Sequence, residues 1–342
     1  MVEIASLSVH FPVARSLLAV ARRAPREAVR AVDGVDLTIR RGESLGLVGE
    51  SGSGKSTLAR CLTGLIPATD GRIVLDGQEL TPKRSLEERR HLQMVFQDPY
   101  SSLNPRMTVK QMLCELLRVH NIVPKSQTTD RAAELLDLVG LSAQTLERYP
   151  RNLSGGQRQR VGIARALALE PRVLVADEPV SALDVSVQAG ILALLEDLRS
   201  RLGLTLLFIT HNLAVVRHIC DRVAVMYLGR IAEVAGTEAL FEDPRHPYTQ
   251  ALIKAAPRLS RRPEQRQSAL RGELPSAIRP PAGCRFHTRC PIAKPVCAEH
   301  DPDLSASSAD AARSADPARG ADPAHRAACH FAWENSRPGA QE

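Results

Sequence analysis

The sequence predicts an α/β fold, in which a sheet of largely parallel strands is covered by helices. Three short runs of apolar residues, at 44–48, 173–176 and 204–210, are typical of strands buried on both faces. Residues 185–202 lie between the second and third runs and have helical spacing, so they would form the crossover between two parallel strands. Only 3% of the residues are aromatic while 44% are hydrophobic, so leucine, valine, isoleucine and alanine must fill most of the core.

The other elements before residue 170 are a mixture of strands and helices. Residues 31–39 alternate apolar and polar side chains and predict a half-exposed strand, and residues 72–75 lie between two Asp-Gly turns and predict another. A helix is expected from Lys55 to about Leu65. Residues 98–168 are interpreted as a mostly helical subdomain, with helices predicted at 109–120, 130–139 and 157–169.

The second half of the chain contains a hairpin and then changes in composition. The hairpin turns at Leu228-Gly229, between strands predicted at 222–226 and 230–234. We divide the chain into a first domain, residues 1–240, and an extension, residues 241–342. Within the extension, residues 301–325 are rich in Ala, Asp, Ser and Pro and nearly lack large apolar side chains, which is typical of a flexible loop.

The most specific nucleotide signal is a glycine-rich loop that follows the apolar run 44–48 and opens a helix. Its residues are Gly49-Glu50-Ser51-Gly52-Ser53-Gly54-Lys55-Ser56-Thr57. Backbone N–H groups of such a P-loop surround phosphates, and the N-terminus of the helix favours their negative charge. Lys55 would contact the β- and γ-phosphates, and the Ser56 hydroxyl would bind Mg²⁺. The loop therefore predicts ATP and Mg²⁺ as ligands.

A pair of carboxylates, Asp177 and Glu178, follows the apolar run 173–176. The carboxyl edge of the sheet is where α/β folds place their ligands. Asp177 would hold Mg²⁺, and Glu178 would orient or deprotonate the attacking water. Without the P-loop, two solvated acids in a loop would be the simpler interpretation; with the P-loop present, we favour the catalytic one.

The string Leu153-Ser154-Gly155-Gly156-Gln157 precedes a long predicted helix whose N-terminal amides could bind a phosphate. Taken alone, a serine-glycine turn that caps a helix is common. Together with the P-loop and the carboxylate pair, this string resembles the nucleotide-binding subunits of ABC transporters, and the resemblance covers about residues 1–240. It implies a P-loop ABC-ATPase core, built on a mixed sheet with flanking helices, together with a helical subdomain.

The resemblance also implies roles for residues whose spacing alone would not assign them. Ser154, Gly155, Gly156 and Gln157 would face the ATP held by a second subunit. Gln97 matches the family's glutamine loop, which senses Mg²⁺ and water, and His211 matches the switch histidine at the γ-phosphate. The loop that crosses the dimer interface would be Ser181-Ala182-Leu183-Asp184.

One feature expected from the resemblance is missing. The family usually stacks adenine on an aromatic residue upstream of the P-loop, but residues 25–30 contain none. The guanidinium plane of Arg26 or Arg30 could stack instead, or His10 or Phe11 could reach the base. The adenine contact is left open at this point.

The extension resembles that of ATPases from peptide importers. The resemblance rests on His246-Pro247-Tyr248-Thr249, on FQDPYSSLNP at 96–105 and on VHFPV at 9–13. It implies import of dipeptides or oligopeptides, with nickel and glutathione importers as related alternatives. The implied partners are a second, non-identical ATPase, two membrane-spanning permease subunits and an extracytoplasmic binding protein, with this chain on the cytoplasmic face of the membrane.

Four late cysteines call for a separate explanation: Cys284, Cys290, Cys297 and Cys329. Zinc ribbons prefer closer spacing, and disulfides are not expected in a chain without an export signal. Widely spaced cysteines can enclose an iron–sulfur cluster, and the resembling ATPases carry one here, so we expect a [4Fe-4S] cluster, with zinc or no metal as alternatives. The other three, Cys61, Cys114 and Cys220, are predicted to be small core residues.

Charge and hydropathy weigh against other classes of protein. The formal net charge is +7, but no aromatic residues are interleaved with the basic ones to stack on bases, so nucleic acid is not an expected partner. The chain starts without a signal-peptide pattern and lacks the roughly 18 continuous apolar residues of a membrane span. A soluble ABC ATPase acting on DNA or ribosomes would usually carry two cassettes or long arms, and a regulatory protein without turnover would not need Glu178 and His211.

Overall fold

The fold contains one large mixed sheet and one small antiparallel sheet. The structure is a computed structural model, and it describes residues 1–13, 27–98, 102–255, 272–306 and 325–334. The strands are β1 (Val2–Pro12), β2 (Ala28–Ile39), β3 (Ser44–Val48), β4 (Asp70–Leu75), β5 (Gln78–Glu79), β6 (Leu92–Val95), β7 (Val173–Asp177), β8 (Thr205–Ile209), β9 (Arg222–Tyr227), β10 (Arg230–Gly236), β11 (Ser305–Ala306) and β12 (Arg326–Ala327). The helices are α1 (Lys55–Leu62), α2 (Leu86–His91), α3 (Val109–Val119), α4 (Thr128–Leu138), α5 (Gly155–Leu167), α6 (Val185–Leu202), α7 (Leu213–Ile219), α8 (Thr237–Glu242), α9 (Pro247–Ala255) and α10 (Pro295–Glu299).

The large sheet has the strand order β11-β12-β10-β9-β3-β8-β7-β6. Its five strands from β9 to β6 are parallel, while β10 and β12 add antiparallel at one side. Every residue of β3, β7 and β8 is buried, because helices cover one face of the sheet while α1 and the small sheet cover the other. The predicted apolar strands, the crossover helix α6 and the hairpin at Leu228-Gly229 are confirmed.

The register of the central strands brings three loops to one edge of the sheet. Ile209 of β8 pairs with Leu47 of β3 on one side and with Asp177 of β7 on the other. The ends of these three strands are therefore level. The loops that follow them, which carry the P-loop, the carboxylate pair and His211, meet at the same edge.

The small sheet, in the order β2-β1-β4-β5, packs against α1 and the other face of the large sheet. The predicted strand 31–39 is confirmed, and it begins earlier, at Ala28. Helix α1 ends at Leu62 rather than near Leu65, because the chain turns at Gly64 with a φ of +74°.

The predicted helices of residues 98–168 are present as α3, α4 and α5, while residues 99–101 lie outside the described residues. Their apolar faces form one core, in which Leu113, Leu117, Leu135 and Leu136 are fully buried. Across the described residues, no helix combines the length and hydropathy that crossing a bilayer requires.

The extension adds strands to the large sheet. In the antiparallel pair β10–β12, Glu233 lies opposite Ala327 and Val234 opposite Arg326. Strands from both sides of residue 240 therefore share one sheet, and the division into 1–240 and 241–342 stays a prediction. Of the predicted flexible loop 301–325, residues 307–324 lie outside the described residues, while β11 forms just before them.

Candidate functional site

The P-loop leaves β3 and wraps tightly before it enters α1. A Cβ atom on Gly49 would stand 2.2 Å from the Met226 carbonyl oxygen, and one on Gly54 would stand 2.1 Å from the Ala31 oxygen. Gly49 and Gly54 also have φ angles of +153° and +108°. Only glycine satisfies both the space and the conformation at these two positions, so the sequence of the loop fixes its path.

Lys55 lies inside this loop and is only 6% exposed. Its ammonium group donates hydrogen bonds of 2.8 Å to the carbonyl oxygens of Gly49 and Glu50. Burial lowers the pKa of Lys55, whereas the carboxylates of Glu178, Asp177 and Glu50 act in the opposite direction. The lysine thus concentrates positive charge where the loop would receive phosphates.

Ser56 and Asp177 supply oxygens of the kind that Mg²⁺ prefers. The Ser56 hydroxyl donates to Asp177 Oδ1 over 3.1 Å, and Asp177 is 3% exposed. Burial raises the pKa of Asp177, and the Glu178 charge adds to this, while the Ser56 hydrogen bond and the charges of Arg60 and Lys55 lower it. A buried carboxylate beside a hydroxyl and next to the P-loop fits a magnesium site.

Glu178 is the centre of a group of three polar side chains. Its carboxylate accepts a hydrogen bond of 3.1 Å from Gln97 Nε2, and its other oxygen lies 3.1 Å from His211 Nδ1. Its backbone has a φ of +46° and its N–H donates to the Ile209 carbonyl oxygen over 2.9 Å, which ties β7 to the end of β8. The structure therefore brings together the three residues that the sequence nominated for catalysis.

These residues share one cleft of about 590 Å³, a size that suits a small ligand. One wall, which we call the loop side, comprises Lys55, Ser56, Gln97, Glu178 and His211. A second group of lining residues, which we call the β2 side, comprises Val29, Ala31 and Ala277.

The β2 side differs from what the sequence suggested. Three of the candidate adenine contacts, Arg30, His10 and Phe11, are not among the residues that line the cleft, and Arg26 lies outside the described residues. Two of these side chains meet Asp33 instead: Arg30 Nη1 lies 3.9 Å from Asp33 Oδ2, and His10 Nε2 lies 3.0 Å from Asp33 Oδ1. Ala277 comes from the extension, and its carbonyl oxygen accepts a hydrogen bond of 3.0 Å from the Arg30 N–H. No motif surrounds Ala277, so sequence reasoning missed it.

Ser154 to Gln157 begin helix α5 and do not line this cleft. The Ser154 hydroxyl accepts from the Gln157 N–H, and the Gln157 side chain accepts in return from the Ser154 N–H. This capping box fixes the turn and leaves Ser154 exposed. Gly156 packs so closely on α6 that a Cβ atom would stand 2.6 Å from Val187 Cγ1.

The loop Ser181-Ala182-Leu183-Asp184 connects the carboxylate pair to α6. The Ser181 hydroxyl donates to the Glu178 carbonyl oxygen over 3.1 Å. The Gln188 amide donates to the carbonyl oxygens of Val180 and Leu183 over 2.9 Å each. This loop is therefore fastened directly to the backbone of Glu178, while Ala182 and Asp184 remain exposed.

The four late cysteines are brought near one another. The Cys284 N–H donates to the Cys297 carbonyl oxygen over 2.8 Å. Burial raises the pKa of Cys284 to about 11, and the thiols of Cys329, Cys297 and Cys290 add to this effect. All seven cysteines lie in the described ranges and none forms a disulfide, but nowhere in those ranges do three or more Cys, His, Asp or Glu residues form a ready ligand set for a metal ion.

The other three cysteines are core residues, as predicted. Cys61, Cys114 and Cys220 are 2%, 7% and 7% exposed. Burial raises the pKa of Cys61 to about 11 and that of Cys220 to about 12, so these thiols remain protonated and unreactive.

Two family profiles match the chain. The one described as "ABC transporter" matches residues 32–181, which contain the P-loop, the carboxylate pair and the Ser154 turn. The one described as "Oligopeptide/dipeptide transporter, C-terminal region" matches residues 232–297, which contain the His246–Thr249 segment and three of the late cysteines.

Two curated relatives match most of the chain. The oligopeptide transport ATP-binding protein AppF of Bacillus subtilis (strain 168) is 49% identical over 286 residues, which are 82% of this chain and 87% of AppF. The oligopeptide transport ATP-binding protein OppF of Salmonella typhimurium is 48% identical over 313 residues, which are 90% of this chain and 93% of OppF.

Solved structures agree with this grouping. One is the ATP-binding cassette MJ0796, a dimer in a post-hydrolysis state bound to ADP and Pi, which is 29% identical to this chain. The two structures superpose with a TM-score of 0.59, and the match covers 69% of this chain and 99% of the MJ0796 chain. Another is CbiO1 from Clostridium perfringens, part of the ABC transporter complex cbiONQ, which is 27% identical with a TM-score of 0.60. This match covers 71% of this chain and 90% of the CbiO1 chain. This protein therefore belongs to the ABC transporter ATPases, which use ATP and Mg²⁺, and within them to the ATP-binding proteins of oligopeptide and dipeptide transporters.

Proposed function

We propose that this chain hydrolyses ATP, in a pair with a second ATPase subunit, to power the import of peptides across the cytoplasmic membrane. The proposal rests mainly on one observation: the P-loop and the Ser154 turn, two features suited to binding phosphate, lie at different places on the same chain. The loop side of the cleft contains the P-loop and Glu178, whereas the exposed Ser154 turn lies outside that cleft. A second subunit that presents its own equivalent turn would complete the site, and Ser154 would complete the partner's.

The residues of the loop side divide the chemistry among them. The amides of the P-loop, Lys55 and the N-terminus of α1 bind the phosphates. Ser56 and Asp177, with Gln97, would hold Mg²⁺, which supplies charge neutralisation to the phosphates. Glu178 accepts the proton of the attacking water. Gln97 and His211 orient the Glu178 carboxylate through their contacts of 3.1 Å, so its lone pairs face a defined direction.

Hydrolysis is coupled to motion through the dimer interface. ATP binds between the P-loop of one subunit and the Ser154-type turn of the other, and the loss of the γ-phosphate contacts lets the pair reopen. The loop 181–184 hydrogen-bonds to the backbone of Glu178, so closure at the interface reaches the catalytic carboxylate directly. The subdomain of α3, α4 and α5 transmits this movement to a membrane partner.

The relatives support a peptide substrate and a membrane partner. They are oligopeptide transport and peptide import ATP-binding proteins. We propose a complex of this chain, a second, non-identical ATPase and two permease subunits, supplied by an extracytoplasmic binding protein. This chain would lie at the cytoplasmic face of the membrane.

The test is uptake by the purified complex in proteoliposomes that enclose MgATP. We expect uptake of a labelled oligopeptide with the wild-type chain and none with Lys55→Ala, since that change removes the cation bonded to Gly49 and Glu50. Nickel and glutathione serve as competing substrates. Uptake of either one without uptake of peptides would contradict the proposed substrate while leaving the ATPase intact.

We further propose that Cys284, Cys290, Cys297 and Cys329 bind a [4Fe-4S] cluster with a structural role. Support comes from the proximity of the four thiols, each of which has electrostatic contact with at least one other. The four thiols would supply the ligands that such a cluster requires. Burial raises the pKa of Cys284, Cys290 and Cys329, so binding of iron must release their protons.

Purification without air tests this proposal. Chemical analysis should find iron and sulfide at four atoms of each per chain, as the [4Fe-4S] formula requires, and Cys284→Ser with Cys290→Ser should abolish both. Zinc in place of iron, or neither metal in wild-type protein, would refute the cluster.

A further inference from the structure

We propose that Tyr248 and Arg289 of the extension are positioning residues for the P-loop, so that the extension forms part of the nucleotide-binding machinery. Both side chains contact Glu50, the second residue of the loop. Neither residue is among those that line the cleft, so any effect on ATP must pass through the loop. The inference deepens the proposed ATPase function and rests on it.

Two separate interactions hold Glu50. Its backbone N–H donates a hydrogen bond of 2.8 Å to the Tyr248 hydroxyl. Its carboxylate forms a two-pronged ion pair with Arg289, with distances of 3.1 Å and 3.2 Å. The Arg289 side chain is 5% exposed and the Glu50 side chain 23% exposed, so water screens this pair much less than a surface pair.

Glu50 in turn determines where Lys55 lies. The carbonyl oxygen of Glu50 and that of Gly49 accept the two short hydrogen bonds of the Lys55 ammonium group. A shift of the Glu50 peptide would therefore displace the cation that contacts the phosphates. Tyr248 and Arg289 hold the N–H and the carboxylate of Glu50, while Lys55 is bonded to its carbonyl group.

The anchors themselves are rigid. Tyr248 is 0% exposed, and its ring packs 4.6 Å from Tyr227 and 5.4 Å from Phe286. The Arg289 guanidinium lies 5.8 Å from the centre of the Tyr227 ring. The Tyr248 N–H donates to His246 Nδ1 over 3.0 Å, which fixes the first turn of α9. Such a packed aromatic group can fix a glycine-rich loop that has little stiffness of its own.

Interactions outside the extension also restrain the loop: Lys55 donates to the carbonyl oxygens of Gly49 and Glu50, and the Gly229 N–H donates to the Ser53 carbonyl oxygen over 2.8 Å. None of these interactions holds the N–H or the carboxylate of Glu50. Without the extension, the Glu50 peptide would lose those two restraints, and nucleotide binding would have to restore its position. The contacts to Glu50 therefore preorganise the loop for phosphate and raise the affinity for ATP.

The experiment measures MgATP affinity and turnover in the assembled complex for Tyr248→Phe and Arg289→Gln. Tyr248→Phe keeps the ring but leaves the buried Glu50 N–H without its acceptor, so we expect KM for ATP to rise about tenfold. Arg289→Gln should raise KM about fivefold. Arg289→Lys should raise KM less, because lysine keeps the positive charge but cannot form both hydrogen bonds of the guanidinium group. The value of kcat should change less than twofold, since Glu178 and His211 are untouched.

Matched controls separate positioning from general destabilisation. Gln250→Leu removes a different side-chain hydrogen bond of helix α9, the one that Gln250 donates to the Pro244 carbonyl oxygen over 3.0 Å. That bond involves neither Glu50 nor its two anchors, so this variant should leave KM within about twofold. Glu50→Gln combined with Arg289→Gln should raise KM no more than either change alone, because both remove the same ion pair. The thermal midpoint of each variant without nucleotide reports its folding.

The outcomes distinguish this proposal from the proposed function. If wild-type complex binds and hydrolyses ATP but Tyr248→Phe and Arg289→Gln match it in KM, the positioning role is refuted and the ATPase role stands. If KM rises only in variants whose thermal midpoint is lower, and Gln250→Leu raises it to the same extent, the extension merely stabilises the fold and the positioning role is refuted. If wild-type complex does not hydrolyse ATP, the proposed function itself fails.

Discussion

The two walls of the cleft are built in different ways. The loop side consists of residues that follow four neighbouring strands, β3, β8, β7 and β6, and the ends of the first three are held level by the pairing of Ile209 with its two neighbours. The β2 side combines a strand of the small sheet with Ala277, a residue of the extension held by one backbone hydrogen bond to Arg30. The residues proposed for catalysis are therefore placed at the edge of the rigid sheet, whereas the β2 side depends on a segment distant in sequence staying in position.

The difference predicts that changes on the loop side abolish turnover, while changes on the β2 side weaken binding. The effect should also fall with distance from the reacting phosphate. The following predictions run from the largest expected effect to the smallest.

The largest effect is expected for Glu178→Gln. The amide keeps the shape of the side chain but cannot accept a proton, so phosphate release by the complex should fall about a thousandfold. ATP binding should persist, and the closed dimer should accumulate on a sizing column. Glu196→Gln, at an exposed position on α6, serves as the control. Unchanged turnover in Glu178→Gln would remove Glu178 from the mechanism.

A smaller but still large effect is expected for Ser154→Glu. A carboxylate at this exposed turn would face the phosphates of ATP held by the partner, so turnover should fall about a hundredfold. Binding of ATP to the chain's own P-loop should be unaffected, because Ser154 does not line that cleft. Ser142→Glu, an exposed serine elsewhere in the helical subdomain, is the control. Normal turnover in Ser154→Glu would mean that the turn faces no nucleotide.

The third prediction concerns the attachment of the extension, on which the β2 side depends. Asp33 forms a nearly buried ion pair with Arg285 of the extension and lies 3.5 Å from Arg230. Asp33→Asn should lower the free energy of unfolding by about 2 kcal/mol, because it takes the carboxylate away from the nearly buried Arg285 guanidinium, whereas Arg230 keeps its ion pair with Asp301. Urea unfolding measures this. Asp197→Asn breaks only an exposed ion pair on α6 and should change stability by less than about 0.5 kcal/mol.

The same ion pair predicts a pH dependence. Burial alone would raise the pKa of Asp33, but Arg285, His10 and Arg230 together lower it below its ordinary value of 3.8. As the pH falls, the unfolded chain takes up this proton first, so the stabilisation is present above the ordinary pKa and is lost through the folded one. The difference in stability between wild type and Asp33→Asn should therefore shrink on acidification below that value. A constant difference would contradict this assignment.

The sequence predicted the loop side well because its chemistry lies in short continuous strings. Lys55, Asp177 and His211 each lie at or just beyond the end of an apolar strand, so the strand pattern alone places them at one edge of the sheet. Gln97 and the Ser154 turn carry too little local signal by themselves and are identified through the order of motifs. Residue spacing alone would not have placed Gln97 against Glu178.

The contacts of the extension, including Ala277 of the β2 side, could not be predicted for a physical reason. The contact between Glu50 and Tyr248 joins residues 198 positions apart, and Arg289 lies 239 positions from Glu50. Such contacts depend on the addition of β12 to β10 and on how α9 packs, neither of which leaves a periodic pattern in the sequence. Strand β2 begins at Ala28, and its residues Val29 and Ala31 line the cleft. Nothing in this part of the sequence indicates that Ala277 joins them.

The smallest predicted effect concerns Ala277 and tests the role of the β2 side directly. Ala277→Asp would place a carboxylate beside Val29 and Ala31 in the cleft, where an apolar face would otherwise meet the base of the nucleotide. We expect the dissociation constant of MgATP to rise about fivefold, with kcat nearly unchanged, because the reacting phosphate lies on the loop side. MgADP should lose affinity by the same factor, since it carries the same base, and Ala277→Ser should stay within about twofold of wild type. If Ala277→Asp weakened ATP but not ADP, the alanine would act on the γ-phosphate rather than the base, and the division of the cleft into a reacting wall and a base wall would be wrong.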